Sequence, residues 1–418
     1  MNNSTNLRLR ASDLPAIIKS DSRLRHTVHT AVQVYVFALM ISGYPKTLTA
    51  MATHFGIGIG RLSRLLNHPL LGAELDIALN RRTRKIIAGY LRSHDDVSID
   101  LIIDATVIER SSRKAENVGL YHSNGKKVWG HRITNVGLLL DNDVYVPLAV
   151  IPHKTRSYAR KCGLPYLTEG QMVCSWLQGN IGPLAAFTDS LCGKPTKLMV
   201  LLDAGYDNAR IQKMIIDAGA NFVMMMKCTR LVNGVQVKNY FRRNRCISWA
   251  GIRLSKVVNG ITKRRKFRIR FAQNVSIARV GSVNVVCSEK SSGSCNKKTR
   301  RFIVSSDLSL TGREIVERYS RRWAIETWHK DAKQNYGIGD CSCSSFRAVE
   351  NHIKLCLIAY CMHLEDLKCL PNKGIRLEDY MEYSVRKESR CTTTKIFGRE
   401  KLDDEIRYRG EHVFAKVA

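Results

Sequence analysis

Residues 317–337, with the sequence ERYSRRWAIETWHKDAKQNYG, decide how this chain is interpreted. The stretch has no proline or glycine before its last residue, so it predicts a single helix. Tyr319, Arg322, Glu326 and Lys333 follow one another at steps of three, four and seven residues, which places them on one helix face. An exposed helix with ordinary ion pairs would also explain this spacing. A carboxylate beside a phenol, a guanidinium and an amine, however, suits a site that holds a divalent metal and contacts phosphates.

The composition indicates a polyanionic partner. The chain has 418 residues, 67 Lys or Arg against 36 Asp or Glu, a formal charge of +31 and a pI near 9.9. This excess favours nucleic acid as the partner, ahead of an anionic membrane surface. The longest apolar run, residues 31–41, is too short to span a bilayer, and no signal peptide is visible. We therefore expect a cytoplasmic protein without a membrane partner.

The cysteines indicate neither a disulfide framework nor a zinc site. Their number, 13, is odd, and their spacing shows no paired framework, which is typical of a reducing compartment. Cys341 and Cys343 have no CxxC partner and no histidine at a matching spacing.

The first 95 residues are predicted to be helical and to bind DNA. Within them, residues 47–68 have the outline of a helix-turn-helix, with a glycine-rich break between two short helices. The second helix would bury its leucines and leave Arg61 and Arg64 free to face DNA. An ordinary helical hairpin explains the same pattern equally well.

The remaining elements outline an RNase H-like α/β core with a β-strand-rich insertion and helical N-terminal and C-terminal regions. Three strands joined by hairpins are followed by a helix, a fourth strand, a second helix and a fifth strand. The core would occupy residues 96–227 and 301–365, on either side of a basic insertion at 228–300. A tail at 366–418 is a candidate dimerisation segment. Residues 228–301 hold 19 Lys or Arg and one acid, Glu289, so most of the net charge lies there.

Two acids interrupt apolar strands. Asp104 ends the run LIID and Asp203 ends the run MVLLD. A charge inside an apolar strand costs several kcal/mol unless it is paired or binds a metal. If the first and fourth strands are neighbours, these two carboxylates meet, and Glu326 could close the site from its helix. Three converging carboxylates need cations, and all-oxygen ligation favours two Mg²⁺ or Mn²⁺ ions.

Three segments resemble the catalytic blocks of DDE transposases of bacterial insertion sequences. They are IDATVI around Asp104, LLDAGYDN around Asp203 and YSRRWAIETWHKDAK around Glu326. The last one matches, at every spacing, the Y-x2-R-x3-E-x6-K signature that marks one group of these enzymes. The resemblance covers roughly residues 97–364 and supports the RNase H-like fold.

The resemblance implies a role for each signature residue. Asp104, Asp203 and Glu326 would form the metal-binding catalytic triad. Tyr319, Arg322 and Lys333 would contact phosphates beside the cleaved bond, as expected for a guanidinium fork and an ammonium point charge.

Two further acids compete with the strand-end aspartates. Asp100 is the rival of Asp104, but the D-x-T pattern at Asp104 favours the latter. Asp207 is the rival of Asp203, although it lies past the strand at a helix N-terminus.

The basic segment matches the β insertion that such transposases carry between the second Asp and the Glu. In KFRIRF, the strand period places Lys266, Arg268 and Arg270 on one face, which we expect to contact the DNA backbone. Members of the group can cut the second strand through a hairpin intermediate, with aromatic residues holding a flipped base. Trp249 and Trp323 are the candidates for that role.

Together these features predict a cut-and-paste DNA transposase. It would bind terminal inverted repeats as a homodimer in a synaptic complex and cleave DNA with metal ions. It would then join the freed 3′ ends to double-stranded target DNA at the bacterial nucleoid. The alternatives are an RNase H-like nuclease or resolvase without strand transfer, and a catalytically inactive DNA-binding regulator.

Overall fold

A computed structural model describes residues 17–18, 24, 26–40, 45–55, 58–123, 125–141, 144–258, 261–290 and 300–367. Nearly all of the predicted tail at 366–418 lies outside the described residues. So do residues 259–260 and 291–299 of the predicted insertion.

The secondary structure alternates helices and strands as an α/β protein does. The helices are α1 (His26–Met40), α2 (Leu48–Phe55), α3 (Ile59–Leu66), α4 (Leu71–Ser93), α5 (Arg156–Lys161), α6 (Glu169–Cys192), α7 (Ala209–Asp217), α8 (Val237–Arg243), α9 (Gly312–Ser320), α10 (Trp323–Gln334) and α11 (Phe346–Leu367). The strands are β1 (Ile99–Glu109), β2 (Gly119–Ser123), β3 (Lys126–Leu140), β4 (Val144–Pro152), β5 (Met199–Leu202), β6 (Asn221–Met226), β7 (Leu231–Val232), β8 (Val235–Gln236), β9 (Ala250–Val258), β10 (Ile261–Ile277), β11 (Gly281–Lys290) and β12 (Arg301–Ser305).

The chain forms two compact units, each assembled from segments that are distant in sequence. The helical unit contains residues 1–86, 108–131 and 329–418, and the sheet unit contains residues 87–107 and 132–328. Helices α4 and α10 and strands β1 and β3 have residues in both units. The region boundaries expected from the sequence stay predictions.

The helical unit is built around α11, which is apolar on nearly every side and packs against α1 and α3. A buried polar contact links α1 to α11: the Tyr35 hydroxyl lies 2.8 Å from Nδ1 of His352, whose Nε2 lies 2.8 Å from the carbonyl oxygen of Gly337. Since only the ring can donate to that carbonyl, Nδ1 accepts from the tyrosine. In the same unit, β2 pairs antiparallel with residues 126–130 of β3.

The sheet unit contains the strand arrangement that places the site. Strands β4, β3, β1, β5 and β6 are neighbours in that order. Strand β1 runs parallel to β5, and β5 parallel to β6. All four residues of β5 are buried, as expected for a central parallel strand covered on both faces. This mixed sheet with its helices is consistent with an RNase H-like domain.

The basic segment extends the same sheet. Strand β12 pairs with β6, and β11, β10 and β9 follow in order, each antiparallel to its neighbour. The short strands β7 and β8 form a separate hairpin.

The longest helix in the sheet unit has ends encoded by its sequence. A capping box of Thr168 and Gln171 opens α6, and Gly193, with φ of 65°, closes it.

Across the described residues, no helix is long and apolar enough to cross a membrane.

Candidate active site

Asp104 and Asp203 lie at neighbouring positions on paired strands. Ile103 of β1 is in register with Leu202 of β5, and because the strands are parallel, the next residue of each is an aspartate at the same sheet end. The Asp104 side chain is 19% exposed. Asp203 precedes a 3₁₀ turn (Ala204–Tyr206), but its carboxylate does not cap that turn. The strand neighbourhood expected from the sequence is therefore present, and the carboxylate is left for another role.

The guanidinium of Arg322 joins the first acid to the third. Its Nη1 lies 3.0 Å from Oδ2 of Asp104, and its Nη2 donates to Oε1 of Glu326 in the first turn of α10. The Tyr319 hydroxyl lies 3.5 Å from Oδ1 of Asp203. Tyr319, Arg322 and Glu326 thus meet the two strand-end aspartates in the sheet unit.

The single helix predicted over residues 317–337 is wrong. Helix α9 ends at Ser320 and α10 begins at Trp323. Around the break the hydrogen bonds step back three residues, for example from Arg322 N to Tyr319 O at 3.1 Å and from Ile325 N to Arg322 O at 3.2 Å. The backbone is therefore more tightly wound at this break than in an α-helix. The arginines beside the break form ion pairs with Asp100 and Asp104 of β1, which the sequence of the helix itself does not reveal.

Asp100 is one of those partners, and its bonds are structural. It is fully buried, with Arg318 Nε 2.6 Å from Oδ1 and Arg321 Nε 2.7 Å from Oδ2. Burial raises the pKa of its carboxyl, and the two arginines oppose that shift. Asp100 therefore anchors the α9–α10 connection to β1 and is not available to a substrate.

The carboxylate of Asp207 is likewise occupied by hydrogen bonds within the chain. It is buried, accepts a hydrogen bond from the backbone N–H of Lys227 at 2.9 Å, and accepts another from Gln212 Nε2 at 3.2 Å. Both rivals of the proposed triad are thus occupied by structural contacts, whereas Asp104 and Asp203 retain access to solvent.

The electrostatics of the site call for added positive charge. Burial, with the nearby charges of Asp203 and Glu326, raises the pKa of Asp104 to about 6, although Arg322 opposes the shift. Burial also raises the pKa of Tyr319 to about 12, so its phenol remains a neutral donor. A divalent cation would stabilise the charged form of these neighbouring carboxylates, which burial and their mutual repulsion disfavour.

A metal site is not preformed. Within the part of the chain that the structure describes, no group of three or more His, Cys, Asp and Glu side chains is arranged to hold an ion. Asp104 and Glu326 share Arg322 instead. The donor set still fits a hard cation, because Asp104, Asp203 and Glu326 offer carboxylate oxygens.

Lys333 belongs to the helical unit, where it is exposed in the last turn of α10. Its predicted place beside the other signature residues stays a prediction.

A polar network behind Asp203 was not anticipated from the sequence. Tyr206 is buried; its backbone N–H donates to Asp203 O at 3.0 Å and its hydroxyl donates to Glu169 Oε1 at 2.7 Å. Arg132 pairs with Glu169 at 2.8 Å, and Thr134 Oγ1 lies 3.4 Å from the Tyr206 hydroxyl. A tyrosine three residues after a strand-end aspartate is a weak signal, and its partners come from distant segments.

In the basic segment, the expected role of Arg270 is wrong. The residue is 8% exposed, and its guanidinium donates to Ile247 O at 2.6 Å and also to the carbonyls of Phe241 and Asn244. Helix α8 and the loop after it cover this end of the strand face, so Arg270 holds the insertion together and does not face DNA.

Lys266 and Arg268 are exposed on the same face of β10. Arg268 donates to Glu289, which also accepts from Arg300 at 3.0 Å. The guanidinium carbons of Arg268 and Arg300 lie 5.2 and 5.5 Å from the ring centre of half-buried Trp249. Trp249 therefore already has cationic partners from the protein.

The remaining predicted contact residues are exposed. Trp323 is 51% exposed at the start of α10. Arg61 and Arg64 are exposed on α3, whose leucines are buried. These positions fit a helix-turn-helix and a plain helical hairpin alike.

Comparison with known proteins supplies the family. A search of curated proteins finds no match. Residues 97–362 match the family model described as Transposase DDE domain, and this range includes Asp104, Asp203 and Glu326. Because the match covers more than half of the 418 residues, the chain belongs to the Transposase DDE domain family, the DDE transposases of insertion-sequence type.

Proposed function

We propose that this chain is a DNA transposase that cuts at terminal inverted repeats and joins the freed 3′ ends to target DNA. The observation that carries the proposal is that Arg322 joins Asp104 to Glu326, with Asp203 beside Asp104 on the paired strand, in a chain of formal charge +31. Membership of the family implies metal-dependent phosphodiester chemistry of transposase type. Binding of repeats and strand transfer are the finer steps that we add.

The three carboxylates would hold two Mg²⁺ or Mn²⁺ ions. When bound, such ions would supply the charge that activates a water or a 3′-hydroxyl and offsets the leaving oxygen in an in-line attack on phosphorus. The planar fork of Arg322 matches a phosphate as well as a carboxylate, so this residue would contact the phosphate beside the cleaved bond. Tyr319 would donate a neutral hydrogen bond there, and Lys333 would add a point charge.

DNA binding would extend beyond the site. Lys266 and Arg268 would contact the backbone from the insertion, and Arg61 and Arg64 would do so from α3. Trp323 and Trp249 are the candidates for stacking on an unpaired base, and Trp323 is the more exposed of the two. We further propose a homodimer in the synaptic complex.

The test is a cleavage and joining assay. Purified full-length protein is mixed with labelled duplex carrying the repeats that flank its gene, with Mg²⁺ or Mn²⁺, and the products are resolved on a denaturing gel. Asp104→Asn removes a proposed metal ligand, and Asp217→Asn makes the same chemical change at an exposed acid of α7. We expect metal-dependent nicks at the repeat ends and joined products with the wild type and Asp217→Asn, and none with Asp104→Asn.

The alternatives give different gels. Nicks without joined products would identify a nuclease or resolvase. Specific binding without any cleavage would identify a regulator. Full activity of Asp104→Asn would remove Asp104 from the site.

A further inference from the structure

A second exposed surface carries both cations and apolar side chains. It is one face of the β2–β3 ribbon in the helical unit. Leu120 lies opposite Trp129, and His122 opposite Lys127, so these four side chains share a face. Leu120 is 49% exposed, His122 and Lys127 are exposed, and Trp129 is half-buried.

The charge of this ribbon is strongly positive. Residues 110–131 contain five Lys or Arg and one acid, Glu116. The Glu116 carboxylate accepts a hydrogen bond from the backbone N–H of Phe346 at 3.0 Å, so it serves the protein's own backbone. The Arg113 guanidinium carbon lies 5.0 Å from the ring centre of Trp129, which fixes a cation on the ribbon.

Protection of a sheet edge would explain only part of this pattern. Strand β2 ends the strand order of the sheet, and lysines on an edge strand discourage pairing with other chains. Such protection needs no half-exposed leucine next to a tryptophan, because exposed apolar surface is itself unfavourable in water. Apolar and cationic groups on one face suit a partner with apolar edges and regularly spaced anions.

We propose that this ribbon face binds duplex DNA. Arg113 and Lys127 contact phosphates, while Leu120 and Trp129 pack on sugars or base edges. A two-stranded antiparallel ribbon is one of the elements that the major groove of B-DNA admits. The inference rests on the proposed function and adds a DNA contact outside the catalytic residues, the basic insertion and the N-terminal helices.

The experiment compares two double variants of equal charge in the full-length protein. Arg113→Gln/Lys127→Gln changes the ribbon face, and Arg160→Gln/Lys197→Gln changes an exposed arginine and an exposed lysine elsewhere. Fluorescence anisotropy measures binding at several salt concentrations to a duplex with the terminal repeat and to a duplex of unrelated sequence. We expect the ribbon variant to flatten the slope of log K against log[salt] by about 2, since each phosphate contact contributes about 0.9. The control should keep the wild-type slope.

The two duplexes distinguish the source of the DNA. A weaker affinity for the repeat duplex alone assigns the ribbon to the element end, and an equal weakening on both assigns it to target DNA or any duplex. A wild-type slope in the ribbon variant overturns the inference, and so does an equal change in the control. Failure of the wild-type protein to bind either duplex would reject the proposed function itself.

A direct measurement complements the affinities. A p-benzoylphenylalanine photo-crosslinker replaces His122, which is exposed, so the fold should tolerate it. We expect the crosslink to form with labelled duplex. A crosslink to a second copy of the protein, with none to DNA, would overturn the assignment.

Discussion

Arg322 places Nη1 3.0 Å from Oδ2 of Asp104, although 218 residues separate the two in the chain. The other arm of the same guanidinium reaches Glu326. One side chain therefore links a strand-end carboxylate to a helix carboxylate, and its planar fork is what allows both contacts at once.

Replacing Arg322 by lysine tests the need for that fork. Arg322→Lys keeps the charge, but a point charge cannot satisfy both carboxylates, or a phosphate, in the same geometry. We expect cleavage to fall about 100-fold, as misplacement near reacting groups commonly does, with a smaller loss of DNA binding. The matched control is Arg313→Lys at the exposed arginine of α9 that pairs with Glu317. Wild-type cleavage in Arg322→Lys would show that charge alone suffices.

Substitution of the two acids of β1 should have different effects, on stability at Asp100 and on cleavage at Asp104. Asp100→Asn leaves Arg318 and Arg321 without their buried counter-charge, and breaking a buried ion pair from one side costs about 3–5 kcal/mol. Asp104→Asn removes a crowded, partly exposed carboxylate and should leave the melting temperature nearly unchanged. Thermal melts and cleavage assays on both variants separate stability from chemistry. Equal melting temperatures for the two variants would contradict the structural role of Asp100.

Lys266 and Arg270 share a strand face, but their substitution should change different properties of the protein. Lys266→Gln should flatten the salt dependence of DNA binding by about one phosphate contact, or about 0.9 in slope, without affecting stability. Arg270→Gln withdraws donors from three backbone carbonyls, each costing about 1–3 kcal/mol if it stays buried and unpaired. Its effect should therefore appear in the melting temperature. A change in salt slope at normal stability for Arg270→Gln would return that residue to the DNA interface.

Tyr206 should influence chemistry from behind Asp203. Tyr206→Phe removes the hydrogen bond to Glu169, at a cost of about 1.5–3 kcal/mol, because the acceptor is a carboxylate. We expect kcat for cleavage to fall while DNA affinity holds, since the turn that begins at Asp203 loses its tether. Tyr166→Phe, at an exposed tyrosine, is the control. An unchanged kcat would make Tyr206 a residue of the fold alone.

The sequence allowed the strand-end acids to be predicted because their signal is local. An apolar run indicates a buried strand, and a carboxylate at its end carries the free-energy cost of burying a charge. Asp104 and Asp203 each end such a run. That the two strands are neighbours required only the usual order of an α/β sheet. The register Ile103–Leu202 then follows in the structure.

The misjudged features depend on partners elsewhere in the chain. The break between α9 and α10 accompanies bonds from Arg318 and Arg321 to Asp100, which the helix's own periodicity cannot reveal. Arg270 has the same strand spacing as Lys266, and only the covering loop after α8 tells the two apart. Periodicity therefore identifies which face a side chain points from, but not what covers that face.

The buried histidine His352 should make the helical unit sensitive to acid. Burial lowers its pKa from 6.5 to about 4. Between pH 6.5 and pH 4, therefore, the unfolded chain binds a proton on this histidine and the folded chain does not. Its contribution to stability is thus complete above pH 6.5 and is lost as pH falls toward 4, at about 1.4 kcal/mol per pH unit. In thermal melts at pH 7.5, 6.5, 5.5 and 4.5, His352→Gln should lie below the wild type at neutral pH, and the gap should narrow as pH falls. The control, His122→Gln on exposed β2, should follow the wild type throughout. A gap that stays constant with pH would contradict this prediction, because it would mean that the folded and unfolded chains bind a proton on His352 equally well, which the hydrogen bond that Nδ1 accepts from Tyr35 opposes.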